Sequence, residues 1–125
     1  MTRNFDVLVV GGGTGGLTVA SQLLEQQPGL TLAIIEPSEK HYYQPLWTLV
    51  GGGVFPKEES ERNQGDFIPA GATWVRDRVE TFDPEGKEVA LASGERVAYD
   101  TLVVAAGLQI DWGKIPGLSE NLGKN

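Results

Sequence analysis

Residues 11–16 read GGGTGG and follow directly on the apolar run FDVLVV. Glycine surrenders more backbone entropy on folding than any other residue, so five glycines in six positions need a reason. The ordinary reason is a loop. The chemical reason is a phosphate that must approach the backbone more closely than a Cβ allows. Gly11, Gly13 and Gly16 fit G-x-G-x-x-G. In that pattern the first glycine permits the tight turn out of a strand, the second lets the backbone meet a pyrophosphate, and the third lets the helix pack closely on the strand. Thr14 and Gly15 complete the turn at the start of the expected helix, whose free N–H groups and positive dipole end favour an anion. Glu36 stands twenty positions after Gly16, at the end of the next apolar run. That is the spacing at which a carboxylate reaches the hydroxyls of an adenosine ribose. The plain alternative is a tight turn and a solvated strand-end glutamate. A carboxylate here would repel a 2′-phosphate, which disfavours NADP and leaves NAD and FAD, both carrying an ADP moiety.

The elements that must hold these residues are legible around them. Phe5 to Val10 reads as a strand buried on both faces, as in a parallel sheet. Thr14 to Gln27 carries Leu17, Ala20, Leu23 and Leu24 at helical spacing, and Pro28-Gly29 stops it. Leu30 to Ile35 is a second buried strand, giving a βαβ unit. Residues 38–56 look irregular, and residues 57–67 look like a short exposed helix. Thr73 to Phe82 alternates like one strand; with Lys87 to Leu91 and Glu95 to Tyr99, divided by Asp83-Pro84-Glu85-Gly86 and Ser93-Gly94, it predicts an antiparallel meander. Thr101 to Ala106 returns to buried-strand texture and ends at Gly107. The fold class is therefore α/β: a Rossmann-like parallel sheet with a βαβ nucleotide-binding unit and an inserted antiparallel β-meander.

Composition narrows the chemistry. The 125 residues suit one small domain, and 40% hydrophobic content can bury a core. The net charge of −7 with no basic stripe argues against nucleic acid as a partner. With no cysteine, the chain holds no disulfide and no thiolate nucleophile; with one histidine, His41, it is poorly equipped for a transition metal. His41 reads as a surface loop residue rather than a proton relay, and Leu46 and Trp47 read first as core. Nothing places two carboxylates in one pocket for acid–base work. The longest apolar run is too short to cross a bilayer, and no signal-peptide pattern precedes Phe5, so the chain is expected to be soluble and cytoplasmic.

The βαβ unit, the meander and the strand TLVVAAG together resemble the FAD domain of the glutathione reductase-like flavoproteins, which carry two dinucleotide-binding domains. Ala105, Ala106 and Gly107 match that superfamily's second signature, and the resemblance implies that this turn lies beside the adenosine–pyrophosphate part of FAD. More narrowly, EPSEKHYYQPLWTLVGGG and YDTLVVAAGLQIDWGKIPGL are similar to sulfide:quinone oxidoreductases of the mitochondrial branch, over nearly the whole chain and about one third of a family member. The resemblance implies that Tyr43, Gln44 and Pro45 approach the flavin, a proline there stiffening the loop, and that the backbone near Val79 contacts adenine.

That family oxidises sulfide at paired cysteines and passes electrons through FAD to a quinone. Its cysteines, second domain and C-terminal membrane-attachment helices have no counterpart in these 125 residues. The resemblance thus implies a partial, truncated FAD-binding domain over residues 1–110 and the start of a linker over 111–125. It implies sulfide and quinone as substrates of a parent peripheral on the inner membrane, attached through segments other than these. A truncated sheet leaves an unpaired edge, so self-association of the fragment is expected. A type II NADH:quinone dehydrogenase, which shares an aromatic-x-Pro-Leu segment, and a non-catalytic adenine-nucleotide-binding module are the competing readings.

Overall fold

The computed structural model describes residues 2–124; Met1 and Asn125, the outer limits of the two expected segments, lie outside the described residues. β1 (Arg3–Val10), α1 (Thr14–Gln26) and β2 (Leu32–Ile35) make the first unit, with β1 parallel to β2 and Val10 opposite Ile35. β3 (Lys40–Tyr42), the short helix α2 (Trp47–Gly51) and β4 (Glu61–Asn63) follow, and β3 pairs antiparallel with β4 as a separate two-stranded sheet. β5 (Ala72–Val75) then joins the main sheet parallel to β2. β6 (Val79–Asp83) and β8 (Arg96–Val104) each run antiparallel to β7 (Glu88–Leu91) between them, and β8 also lies parallel to β1. The six-stranded order is β5-β2-β1-β8-β7-β6. The helical turns Trp112–Lys114 and α3 (Leu118–Asn121) end the described chain.

Alternation along β1 and β2 sends side chains to two different layers. Val7, Val9, Leu32 and Ile34 pack with Leu17, Ala20 and Leu24 of α1. Leu8, Val10, Ala33 and Ile35 pack with Val89, Leu91, Val97 and Tyr99 of the meander. The parallel strands are therefore the middle of a three-layer stack, which is why their sequences are continuously apolar. Each buried Val, Leu or Ile among them stabilises the fold by about 1.5–3 kcal/mol. The same packing fixes the height at which β1 ends, and so the position of the glycine turn.

Three expectations are corrected by the fold. Thr73 to Phe82 is not one strand but β5 and β6, which lie at opposite ends of the sheet order. Asp77 makes the break: its carboxylate accepts the N–H groups of Arg78 and Ser93, and its own N–H turns back to the Val75 carbonyl. Apolar residues stand on both sides of this turn, Trp74 and Val75 before it and Val79 after it, so the charged run Arg76-Asp77-Arg78 reads as the exposed middle of one strand. Conversely, Glu95 to Tyr99 and Thr101 to Ala106 are largely one strand: β8 pairs with β7 through Arg96 and Ala98 while running beside β1 from Val97 to Val104. Residues 57–67 are not an exposed helix. They form two single helical turns, Lys57–Ser60 and Gln64–Phe67, flanking β4, with Ser60 and Gln64 buried.

The segment from 38 to 56 is also more ordered than its composition suggests. His41 lies in β3 opposite Arg62, with its ring 5.1 Å from that of Phe67, rather than in a loop. Leu46 is half-buried, but Trp47 is 49% exposed and meets Tyr42 edge-on, so the core expectation fails for Trp47. The reason is topological: α2 packs chiefly on the adjoining turns, not on the sheet.

Candidate functional site

The glycine turn is held from both sides by main-chain ladders. The Gly11 N–H donates to the Ile35 carbonyl at 2.9 Å, and the Ala105 N–H donates to the Val10 carbonyl at 2.7 Å. The ends of β1, β2 and β8 are thereby drawn to one place. Gly11 has φ +105°, and a Cβ there would run into the Ala105 carbonyl. At Gly16 a Cβ would strike the Gly11 carbonyl, with Val9 behind it at 3.2 Å. Gly13 differs: nothing lies within 4 Å of where its Cβ would be. Gly15 has only the Ala105 Cβ near that position, at 3.9 Å.

Gly13 is also the residue that begins α1, with no side-chain cap among the described residues and no acidic residue in the first turn. Thr14 is exposed, and its carbonyl accepts the Thr18 hydroxyl at 2.6 Å. A 13-residue helix that ends this way favours a negative group at its N-terminus.

A cleft of about 390 Å³ opens beside the turn. It brings together Gly11, Glu36, Val79 and Ala106, four of the residues singled out from sequence, from four separate elements. Arg78, Phe82 and Gln109 also line it and were not foreseen. The Asp77 carboxyl at its rim is held below the usual carboxylate range, first by hydrogen bonding from Ser93 and then from the Arg78 N–H. The size is that of ordinary small-molecule sites, roughly 300–1,000 Å³.

Glu36 does not end in solvent. Its carboxylate accepts the Gly12 N–H and the Ser38 N–H, each at 2.8 Å. Its main-chain carbonyl accepts the Trp74 indole N–H at 2.9 Å, and its N–H donates to Val75. Trp74 in turn lies under the Arg76 guanidinium, 4.2 Å from the ring centre. Gln64 completes this support by donating to the Gly12 carbonyl. Neither Trp74 nor Gln64 carried a signal in the sequence: one sat in an alternating run, the other in a polar one.

Tyr43, Gln44 and Pro45 lie elsewhere, on the exposed turn between β3 and α2, with the Tyr43 N–H donating to the Ser60 carbonyl at 2.8 Å. They do not line the cleft. Ala105 and Gly107 flank Ala106 at the end of β8, Gly107 with φ +68°. The open cradle at Gly13, the uncapped helix start there and the Glu36 carboxylate on the neighbouring Gly12 fit the adenosine and pyrophosphate part of a dinucleotide. Among the described residues no group of His, Asp and Glu could hold a metal ion, and no helix is long and apolar enough to cross a membrane.

Residues 5–125 match the pyridine nucleotide-disulphide oxidoreductase family. The chain belongs to that family. Among curated members it is similar to a mitochondrial sulfide:quinone oxidoreductase of Dictyostelium discoideum, 55% identical over 120 residues, which are 95% of this chain and 26% of the relative. A mitochondrial sulfide:quinone oxidoreductase of Mus musculus is 42% identical over 94% of this chain and 26% of its own length. Among solved structures the sulfide:quinone oxidoreductase of Aquifex aeolicus superposes with a TM-score of 0.74 at 25% identity, over 90% of this chain and 26% of that one. The chain thus spans about a quarter of the length of the relatives it matches. Its α/β architecture is that of the FAD/NAD(P)-binding flavoproteins.

Proposed function

We propose that these residues form the N-terminal FAD-binding part of a flavoprotein that oxidises sulfide and reduces a quinone. One observation carries the cofactor: a single cleft joins the glycine turn, Glu36, Val79 and Ala106 beside a helix start that is open to an anion. In this reading Gly13, Thr14 and Gly15 face the pyrophosphate, Gly11 and Gly16 shape the turn that presents them, and Ala105, Ala106 and Gly107 lie on its other side. Glu36 holds the ribose hydroxyls with the lone pairs its two backbone donors leave free, and the Val79 backbone meets adenine. Tyr43, Gln44 and Pro45 belong with the isoalloxazine, farther along the cofactor than the cleft extends. Bound FAD supplies the two-electron step between sulfide and quinone. Residues 1–110 are the FAD-binding part, and 111–125 begin a connection to a second domain.

The substrates rest on similarity to relatives that carry the sulfide:quinone name at 55% and 42% identity, which also makes an NADH dehydrogenase the weaker reading. Those two relatives are called mitochondrial, which supports a mitochondrial parent over a cytoplasmic one. The test has two arms. Titrating the 125-residue chain with ADP and then FAD should move the amide resonances of Gly11 to Gly16, Glu36 and Val79; shifts elsewhere, or none, would remove the site. A protein of the relatives' full length carrying these residues should reduce a soluble quinone when given sulfide. NADH-dependent reduction without any response to sulfide would favour the dehydrogenase. The 125-residue chain alone has no cysteine and should turn over no sulfide.

A further inference from the structure

Under the glycine turn lies a buried polar contact that the proposed ligand does not touch. Gln64 is 1% exposed. Its side-chain Nε2 donates to the Gly12 carbonyl at 2.7 Å, across 52 residues of sequence. Its backbone N–H is itself anchored, donating to the Glu39 carbonyl at 2.9 Å. The N–H of Gly12 goes the other way, to Glu36 Oε2 at 2.8 Å. Both polar groups of residue 12 are therefore held by side chains from later in the chain. The fit is tight: a Cβ at Gly12 would stand 2.6 Å from Gln64 Nε2 and 2.8 Å from the Glu36 Cβ. This accounts for a glycine at a position that the x of G-x-G leaves free.

The consequence follows from peptide geometry. A trans peptide is planar, with its C=O and N–H pointing in opposite directions. Pinning the Gly12 carbonyl inward on Gln64 turns the Gly13 N–H outward, to the side where the Cβ position of Gly13 is open. Gly12 and Gly13 resist rotation of that peptide less than any other pair would. Rotated, the same peptide would present a carbonyl, not an N–H, to an approaching phosphate. We propose that Gln64 is a positioning residue for the phosphate-binding turn: it locks the Gly12–Gly13 peptide with its donor outward and ties the β3–β4 segment to the ligand site. The proposal rests on the dinucleotide reading for its purpose, and on the contacts of Gly12 for its geometry.

Two variants of the 125-residue chain test it, with ADP as the probe. Gln64→Met keeps the volume and removes the donor. It should leave the fold intact by circular dichroism, move the Gly13 amide nitrogen resonance in the ligand-free chain, and weaken ADP binding about tenfold, because a peptide that has lost one hydrogen bond's bias toward the outward donor must be turned back on binding. Gln64→Glu is nearly isosteric and donates only when protonated, and burial raises the pH at which it ionises. Its ADP affinity, taken as a ratio to the unmodified chain at each pH, should be near one in acid and fall about tenfold as the carboxyl ionises. An ionised carboxylate here would also repel ADP, so the Gly13 resonance of ligand-free Gln64→Glu is followed over the same pH range. It should lie at its unmodified position in acid and move away as the carboxyl ionises, and a role that does not hold the peptide would leave it unmoved. If Gln64→Met fails to fold, that resonance decides. ADP affinity within twofold of the unmodified chain in both variants, with the Gly13 resonance unmoved, overturns the proposal. If the unmodified chain shows no ADP shifts at the turn, the dinucleotide reading fails instead, and the ligand-free Gly13 resonance still reports whether Gln64 holds the peptide.

Discussion

The carboxylate of Glu36 accepts the backbone N–H of Gly12 at 2.8 Å, so the acidic residue at the end of β2 braces the turn at the end of β1. The two ends of the fingerprint are one hydrogen-bonded unit before any ligand arrives. Its second oxygen takes the Ser38 N–H, which fixes the carboxylate plane. A group fixed in advance loses little entropy on meeting a ligand, which is how a single residue contributes to affinity.

Replacing Glu36 by Ala should therefore act twice. FAD or ADP binding should weaken by about 1.5–3 kcal/mol, the usual range for hydrogen bonds to a charged group. The ligand-free turn should also loosen, seen as faster exchange of the Gly12 amide proton. Calorimetric titration checks the first and amide exchange the second. Unchanged affinity with faster exchange would leave Glu36 as a brace alone.

Glycines of the same motif should respond in opposite ways. Gly13→Val meets open space at an extended backbone position with φ −74°, so the fold should survive while the added carbons occupy the pyrophosphate's place and abolish binding. Gly11→Ala must keep φ +105° and drive its Cβ into the Ala105 carbonyl, so it should unfold or badly destabilise the chain. Thermal melts and ligand titration on both variants separate the roles. A folded Gly13→Val chain that binds normally would deny the cradle.

Much of this was legible because the parallel strands are buried on both faces, and such strands announce themselves as apolar runs. Gly11, Gly13, Gly16 and Glu36 were readable because the turn's backbone geometry and the ribose spacing constrain residue type. Val79 lines the cleft but could be named only through resemblance, since the main-chain role proposed for it leaves no mark on side-chain chemistry. Gln64 and Trp74 were hidden for a different reason. Each acts through one hydrogen bond to a residue 52 or 38 positions away, and nothing local distinguishes a polar side chain turned inward from one turned outward. The β5–β6 break was hidden because the charged run Arg76-Asp77-Arg78, flanked by strand-like apolar residues, reads as a solvated stretch of one strand.

Acid should destabilise the chain through identifiable groups. Asp6 is held below the usual carboxylate range by the Thr31 N–H and hydroxyl, Glu61 chiefly by the Tyr42 hydroxyl, Asp77 chiefly by Ser93, and Glu95 chiefly by Arg3. A carboxylate with a lowered folded value binds protons less readily than in the unfolded chain. Its stabilisation is complete above the unfolded values near pH 4 and disappears as pH falls through the folded ones. The melting temperature should thus be nearly flat from neutral pH to about 5 and fall below about 4. Asp6→Ala should shallow that fall. A melting temperature that rises on acidification would contradict these assignments.

The edge of β8 should make the chain self-associate. Ladder pairing with β7 reaches only Ala98, while pairing with β1 continues to Val104. Among the described residues, Thr101 to Val104 are therefore paired on one side alone. Val104 is 60% exposed and Leu108, just beyond the strand, 85%. An open strand edge with apolar side chains is a template for another strand, because it offers unpaired N–H and C=O groups in register. Sedimentation velocity across a concentration series should show reversible dimers or larger species. A charge on such an edge opposes pairing, so Val104→Lys should shift the distribution toward monomer with little change in melting temperature. If the unmodified chain is monomeric throughout, the edge is closed in solution by residues of the chain itself. If Val104→Lys associates as strongly as the unmodified chain, the contact lies elsewhere, and the exposed aromatic face of Tyr43, Trp47 and Phe55 becomes the surface to substitute next.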